Sequence, residues 1–91
     1  MLWVIAYDIP DDGRRTKLAK LMESYGDRVQ YSVFEAELNE KHIRILKKRI
    51  EEIIDIDQDS VRIYRICADC KDEINLLGIG KLYELDRVFI V

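Results

Sequence analysis

The chain has 91 residues, 48% of them hydrophobic and 36% charged, with four glycines and one proline; this is enough for one domain and too apolar for disorder. No run approaches the roughly 20 apolar residues of a membrane helix, and the apolar start, Met1 to Asp8, has no basic leader or small-residue cleavage site, so a cytoplasmic protein is expected. The net charge of −3 argues weakly against nucleic acid as a partner, but phosphate binding depends on local clusters and not on the average.

Leu2 to Tyr7 is a continuous apolar run, the pattern of a strand buried on both faces and central in a sheet. Asp8 ends it, and Ile9-Pro10-Asp11-Asp12-Gly13 reads as a turn leading into a helix. That helix runs from about Gly13 to Tyr25, with Leu18, Leu21, Met22 and Tyr25 on one face and Arg14, Arg15, Lys17 and Lys20 over much of the rest. Gly26 is a suitable stop. In the next stretch, Arg28 to Leu38, the alternation changes phase. Val29, Tyr31 and Val33 share one face and Phe34, Ala36 and Leu38 the other, which requires a bulge, a bend or a hairpin.

Asn39 is a candidate N-cap for a second helix reaching Asp55, with the apolar stripe Ile43, Leu46, Ile50, Ile53 and Ile54. Its other faces carry Lys41, Arg44, Lys47, Lys48 and Arg49. Ser60 to Cys67 is a further strand, and Ile74 to Ile79 and Arg87 to Val91 are short β candidates. The chain is therefore α/β or α+β with helices on one sheet. If Arg28 to Leu38 is one strand the order is β-α-β-α-β; if it is a hairpin the order is β-α-β-β-α-β, the ferredoxin-like arrangement. Pattern alone leaves both open. The small domain lacks a disulfide framework, so self-association is a natural source of further burial. The C-terminus, apolar to its last residue, is expected to dock as a strand, on this chain's sheet or a partner's.

The end of the first strand carries the strongest chemical signal. Asp8 sits at the tip of a rigid element, and its hard oxygens suit Mg²⁺ or Mn²⁺; the competing role is to accept turn amides. Asp11 and Asp12 read as capping and turn residues. One Asp per chain is too few for a metal nuclease, but a homodimer would supply a second Asp8. Arg28, Gln30 and Ser32, beside Tyr31 and Phe34, offer phosphate and base contacts, although such aromatics also serve as core. Cys67-Ala68-Asp69-Cys70 is a single CxxC, half a zinc site. No helix is expected to open there, so the two cysteines read as small, half-buried residues at a strand end. His42, the only histidine, reads as a surface helix residue, and Gly78-Ile79-Gly80 as a turn.

Several segments together resemble one family. They are Tyr7-Asp8-Ile9-Pro10-Asp11-Asp12 after an apolar strand, Arg14-Arg15 on a helix, Tyr25-Gly26, Arg28-Val29-Gln30-Tyr31-Ser32-Val33-Phe34-Glu35, and Asp59-Ser60-Val61-Arg62-Ile63-Tyr64. The family is the small CRISPR-associated adaptation endonuclease, partner of the CRISPR integrase, and the likeness covers essentially the whole chain. It implies an α+β, ferredoxin-like β-α-β-β-α-β sandwich over residues 1–91, with a break near Tyr31 to Val33. It also implies a homodimer in which a C-terminal strand, about residues 81–91, reaches toward the partner subunit.

Asp8 would be the catalytic, metal-binding residue, sharing Mg²⁺ (or Mn²⁺) with its twin for phosphodiester hydrolysis. Tyr7, Arg15, Arg28, Ser32 and Phe34 match positions implicated in activity or substrate placement, and Arg14 and Arg15 would meet nucleic acid. Family members cleave single-stranded RNA or double-stranded DNA, and others are inactive scaffolds between integrase dimers during spacer acquisition. A metal-dependent endonuclease is the first expectation and a DNA-binding adaptor the second. A toxin-like messenger ribonuclease is the alternative outside the family.

Overall fold

The apolar run of the N-terminus forms β1 (Leu2–Asp8), a central strand in a computed structural model that describes residues 1–71 and 73–78. The next elements are α1 (Asp12–Glu23), β2 (Asp27–Gln30), β3 (Val33–Glu37), α2 (Glu40–Ile53), β4 (Ser60–Ile66) and the short α3 (Ala68–Lys71). The sheet order is β2-β3-β1-β4, and every neighbouring pair is antiparallel. This is the ferredoxin-like order expected from the resemblance.

The change of phase in Arg28 to Leu38 is a hairpin. Tyr31 and Ser32 turn the chain between β2 and β3, and the register shifts between Arg28 and Gln30. That irregularity absorbs the extra residue which a strict two-residue period cannot accommodate.

Alternation along β1 separates two environments. Trp3, Ile5 and Tyr7 join Phe34 and Ala36 of β3 beneath the helices, where Leu18 and Met22 of α1 and Ile43, Leu46 and Ile50 of α2 close the core. Large side chains of this kind each contribute about 1.5–3 kcal/mol on leaving water. The Trp3 indole N–H donates to the Leu38 carbonyl at 3.0 Å, and Lys47 lies over its ring at 5.7 Å. Both helix starts carry the caps expected of them. Asp11 accepts from the Arg14 amide at 2.8 Å and Asn39 from the His42 amide at 2.8 Å, each satisfying an amide that has no partner within its helix.

Several expectations are corrected. Gly26 lies beyond the last turn of α1, and a Cβ there would fall 2.1 Å from the Glu35 carbonyl oxygen; close approach of β3, not helix termination alone, requires glycine. Residues 74–77 form no strand. A helix does open at the CxxC, since α3 begins one residue after Cys67, and both cysteines are exposed instead of half-buried. Gly78 has φ +96°; the rest of the expected Gly78-Ile79-Gly80 turn lies outside the described residues. The remaining β candidate, Arg87 to Val91, and the expected C-terminal strand, residues 81–91, lie outside the described residues. No helix among the described residues is long and apolar enough to cross a membrane.

Candidate active site and nucleic-acid interface

Asp8 is the last residue of β1 and pairs in register with Ser60 of β4. It lies one position beyond the buried Tyr7, so its side chain leaves the sheet on the face opposite α1 and α2, in line with Val4 and Ala6. The residue is exposed, and its side chain has no hydrogen bond or ion pair among the described residues. It does not accept turn amides. Its carboxylate is thus open to a cation, on a strand that packing holds in place. No group of three or more potential metal ligands occurs among the described residues, so one chain offers one hard ligand at this point.

On the helix side, Tyr7 stacks on Phe34, with ring centroids 6.2 Å apart and planes inclined by 20°. The Arg28 guanidinium lies over the Phe34 ring at 5.3 Å and 3.7 Å from Glu23. Phe34 is wholly buried, so it supports Arg28 from below without itself meeting a ligand. Burial pushes the Tyr7 hydroxyl above its ordinary pKa, against the opposing pull of Arg28 and Arg15. Tyr7 therefore stays protonated at neutral pH and serves as a hydrogen-bond donor, not a base.

Tyr7, Arg15, Arg28, Tyr31 and Ser32 line one cleft of about 490 Å³ between α1 and the hairpin, with Thr16, Ala19, Lys20 and Glu23 completing it. Three cations against one carboxylate make its lining positive. Tyr31 stands at the hairpin tip with 93% of its surface exposed. Arg15 is also tied to the β1–α1 turn. It donates to the carbonyls of Ile9 at 2.8 Å and Pro10 at 3.4 Å and pairs with Asp12.

Arg14 is placed apart from this cleft. Its Nε and Nη2 donate to Asp59 at 2.8 and 3.0 Å, and the Asp59 side chain is inaccessible to solvent. The Asp55 amide adds a third bond to that carboxylate at 2.8 Å. The Arg14 hydrogen bonds, with help from the Asp55 amide, hold the Asp59 carboxyl below its ordinary pKa. The structure thus gathers Tyr7, Arg15, Arg28 and Ser32 around one cleft and sets Asp8 on the other face of the sheet. Sequence reasoning did not single out Lys20, Thr16 and Glu23 as cleft residues, nor Asp59 as the partner of Arg14. Of the first group only Lys20 carried a signal, as part of the basic stretch Arg14, Arg15, Lys17 and Lys20.

The family model described as CRISPR associated protein Cas2 matches residues 1–74. The chain belongs to the Cas2 family. A Thermus thermophilus protein named CRISPR-associated endonuclease Cas2 2 is 46% identical over 90 residues, covering 99% of this chain and 96% of that one. A Synechocystis protein named CRISPR-associated endoribonuclease Cas2 3 is 47% identical over 77 residues, 85% of this chain and 84% of its own. A chain in a solved structure described as a partial Cas6-RT-Cas1–Cas2 complex superposes with a TM-score of 0.72 at 32% identity, covering 81% of this chain and 87% of that one.

Proposed function

We propose that the chain is a homodimeric, divalent-metal-dependent endonuclease that cleaves phosphodiester bonds of RNA or DNA and acts with the CRISPR integrase in spacer acquisition. The observation that carries this reading is Asp8, an exposed carboxylate without a partner among the described residues, fixed at the end of the central strand on the face opposite α1 and α2. The relatives named as endonuclease and endoribonuclease support it, and the Cas1–Cas2 complex supports the integrase as partner.

The residues fit a hard divalent cation, Mg²⁺ or Mn²⁺, provided that two chains contribute, because a single carboxylate leaves most of the coordination shell to water. Asp8 and its twin would hold it. When bound, such an ion supplies Lewis-acid stabilisation of developing phosphoryl charge and acidifies water.

The chain's own part is to bind and place the strand. Arg28, buttressed by Phe34, and Lys20 attract phosphate oxygens. Tyr7 donates from a protonated hydroxyl, Ser32 borders the cleft, and Tyr31 offers an open ring for an unpaired base. Arg15 fixes the turn that follows Asp8 and keeps guanidinium donors for phosphate. Arg14, committed to Asp59, acts through the fold.

The decisive assay compares cleavage of single-stranded RNA and duplex DNA in Mg²⁺, Mn²⁺ and chelator, beside Asp8→Asn. Loss of cleavage in the variant, with the dimer retained, is the expected result; metal-dependent cleavage by highly purified Asp8→Asn sinks the assignment. The lack of a three-ligand acidic cluster among the described residues favours a second reading, a non-catalytic adaptor that binds duplex DNA and docks the integrase. Under it, Asp8→Asn leaves spacer acquisition intact.

A further inference from the structure

Cys67 and Cys70 lie outside everything used above. β4 ends at Ile66 and α3 begins at Ala68, so Cys67 occupies the junction and Cys70 follows one turn later. Both are exposed. With two residues between them, Cys67 and Cys70 stand about one helical turn apart on the same short segment. A bland pair of small strand-end residues would not need exposure at both positions. The chain instead sets two nucleophilic sulfurs about one helical turn apart in solvent, at the junction of β4 and α3.

We propose that Cys67 and Cys70 are a reversible dithiol–disulfide pair that exchanges with low-molecular-weight disulfides and cross-links the junction of β4 and α3. The Cys67 thiolate attacks one sulfur of a glutathione-type disulfide, forming a mixed disulfide and releasing one thiol. Cys70, giving up its proton, then attacks the Cys67 sulfur, closes the intramolecular bond and releases the second thiol. In total two protein thiols and one small disulfide become one protein disulfide and two small thiols, so electrons and protons balance. The order of attack follows from the surroundings. Hydrogen bonds from the Cys70 thiol and from backbone amides draw the Cys67 thiol below its ordinary pKa, while donating that bond pushes Cys70 up, and the thiolate is the nucleophile. Closure to an S–S bond of about 2.05 Å joins residues three apart in sequence, which one turn of a short helix allows.

The test uses the full chain in buffers of graded oxidised-to-reduced glutathione ratio, with alkylation and mass spectrometry of the Cys67–Cys70 peptide. The expected result is loss of two hydrogens within that peptide, complete in oxidising buffer and reversed by dithiothreitol. Cys70→Ser should accumulate one glutathione on Cys67, and Cys67→Ser should react about tenfold more slowly or less. The proposal is overturned if both thiols stay reduced at every ratio, or if Cys70→Ser takes up no glutathione. Disulfides only between chains overturn it too, as does a zinc ion that must be chelated before either sulfur reacts. None of these outcomes bears on Asp8 or on cleavage.

Discussion

Arg14 and Arg15 adjoin in the chain yet face different tasks, because one helical step of about 100° separates their directions. Arg14 locks α1 to the turn before β4 through Asp59, and Arg15 closes the β1–α1 turn and borders the cleft. The Asp59 pair gives a prediction with a sign. Its folded-state pKa lies below the unfolded value of about 3.9, so its stabilisation is complete above that value and disappears as pH falls through the folded-state pKa. Asp59→Asn should therefore lower the melting temperature at neutral pH by about 4–8 °C, and the gap to the parent chain should close in acid. A gap of equal size at pH 7 and pH 2 would assign the loss to packing instead of charge. Asp8 is the opposite case: its exposed side chain has no partner among the described residues, so Asp8→Asn should shift stability by no more than about 0.5 kcal/mol in urea titrations. Any loss of cleavage in that variant then reflects chemistry and not unfolding.

At the scale of elements, the β2–β3 hairpin carries most of what the cleft needs. Its turn presents Tyr31, and its first strand sets Arg28 opposite Phe34. Its second strand runs so close to the α1–β2 connection that Gly26 cannot carry a Cβ. Gly26→Ala must displace the Glu35 backbone, at a cost of about 1–3 kcal/mol, and should lower the urea midpoint with the slope unchanged. Tyr31→Ala touches no core, so it should leave the midpoint in place while weakening single-stranded RNA binding by about 1–3 kcal/mol, read by titration at fixed salt.

The hairpin was visible in the sequence as a change of phase between Val33 and Phe34, but that pattern fits a bulge or a bend equally well. The core stripes of both helices and the caps Asp11 and Asn39 were legible because they depend on neighbours within a few positions. Asp59 and Gly26 were not. The first acts on a residue 45 positions away and the second on a strand that arrives only after folding. The helix at Cys67 was missed for a related reason: four residues are too few for any periodicity to register.

For the whole molecule, the proposed chemistry depends on how many Asp8 carboxylates a working unit contains. The described part of one protomer contributes one, on the sheet face opposite α1 and α2. An isologous two-fold pairing across this face would bring equivalent residues toward each other. A mixing experiment separates a shared cation from two independent sites. Equal amounts of parent and Asp8→Asn chains, exchanged to equilibrium, distribute so that about one quarter of dimers carry both carboxylates and about one half carry one. If both are required, activity per total protein falls to about one quarter of the parent value; if each acts alone, it falls to about one half. A shared site also predicts that the single-carboxylate dimers stay inactive when Mg²⁺ is raised well beyond saturation of the parent. A recovery to one half under those conditions would mean that one carboxylate suffices and that the dimer serves another purpose, such as spanning two integrase units along a duplex.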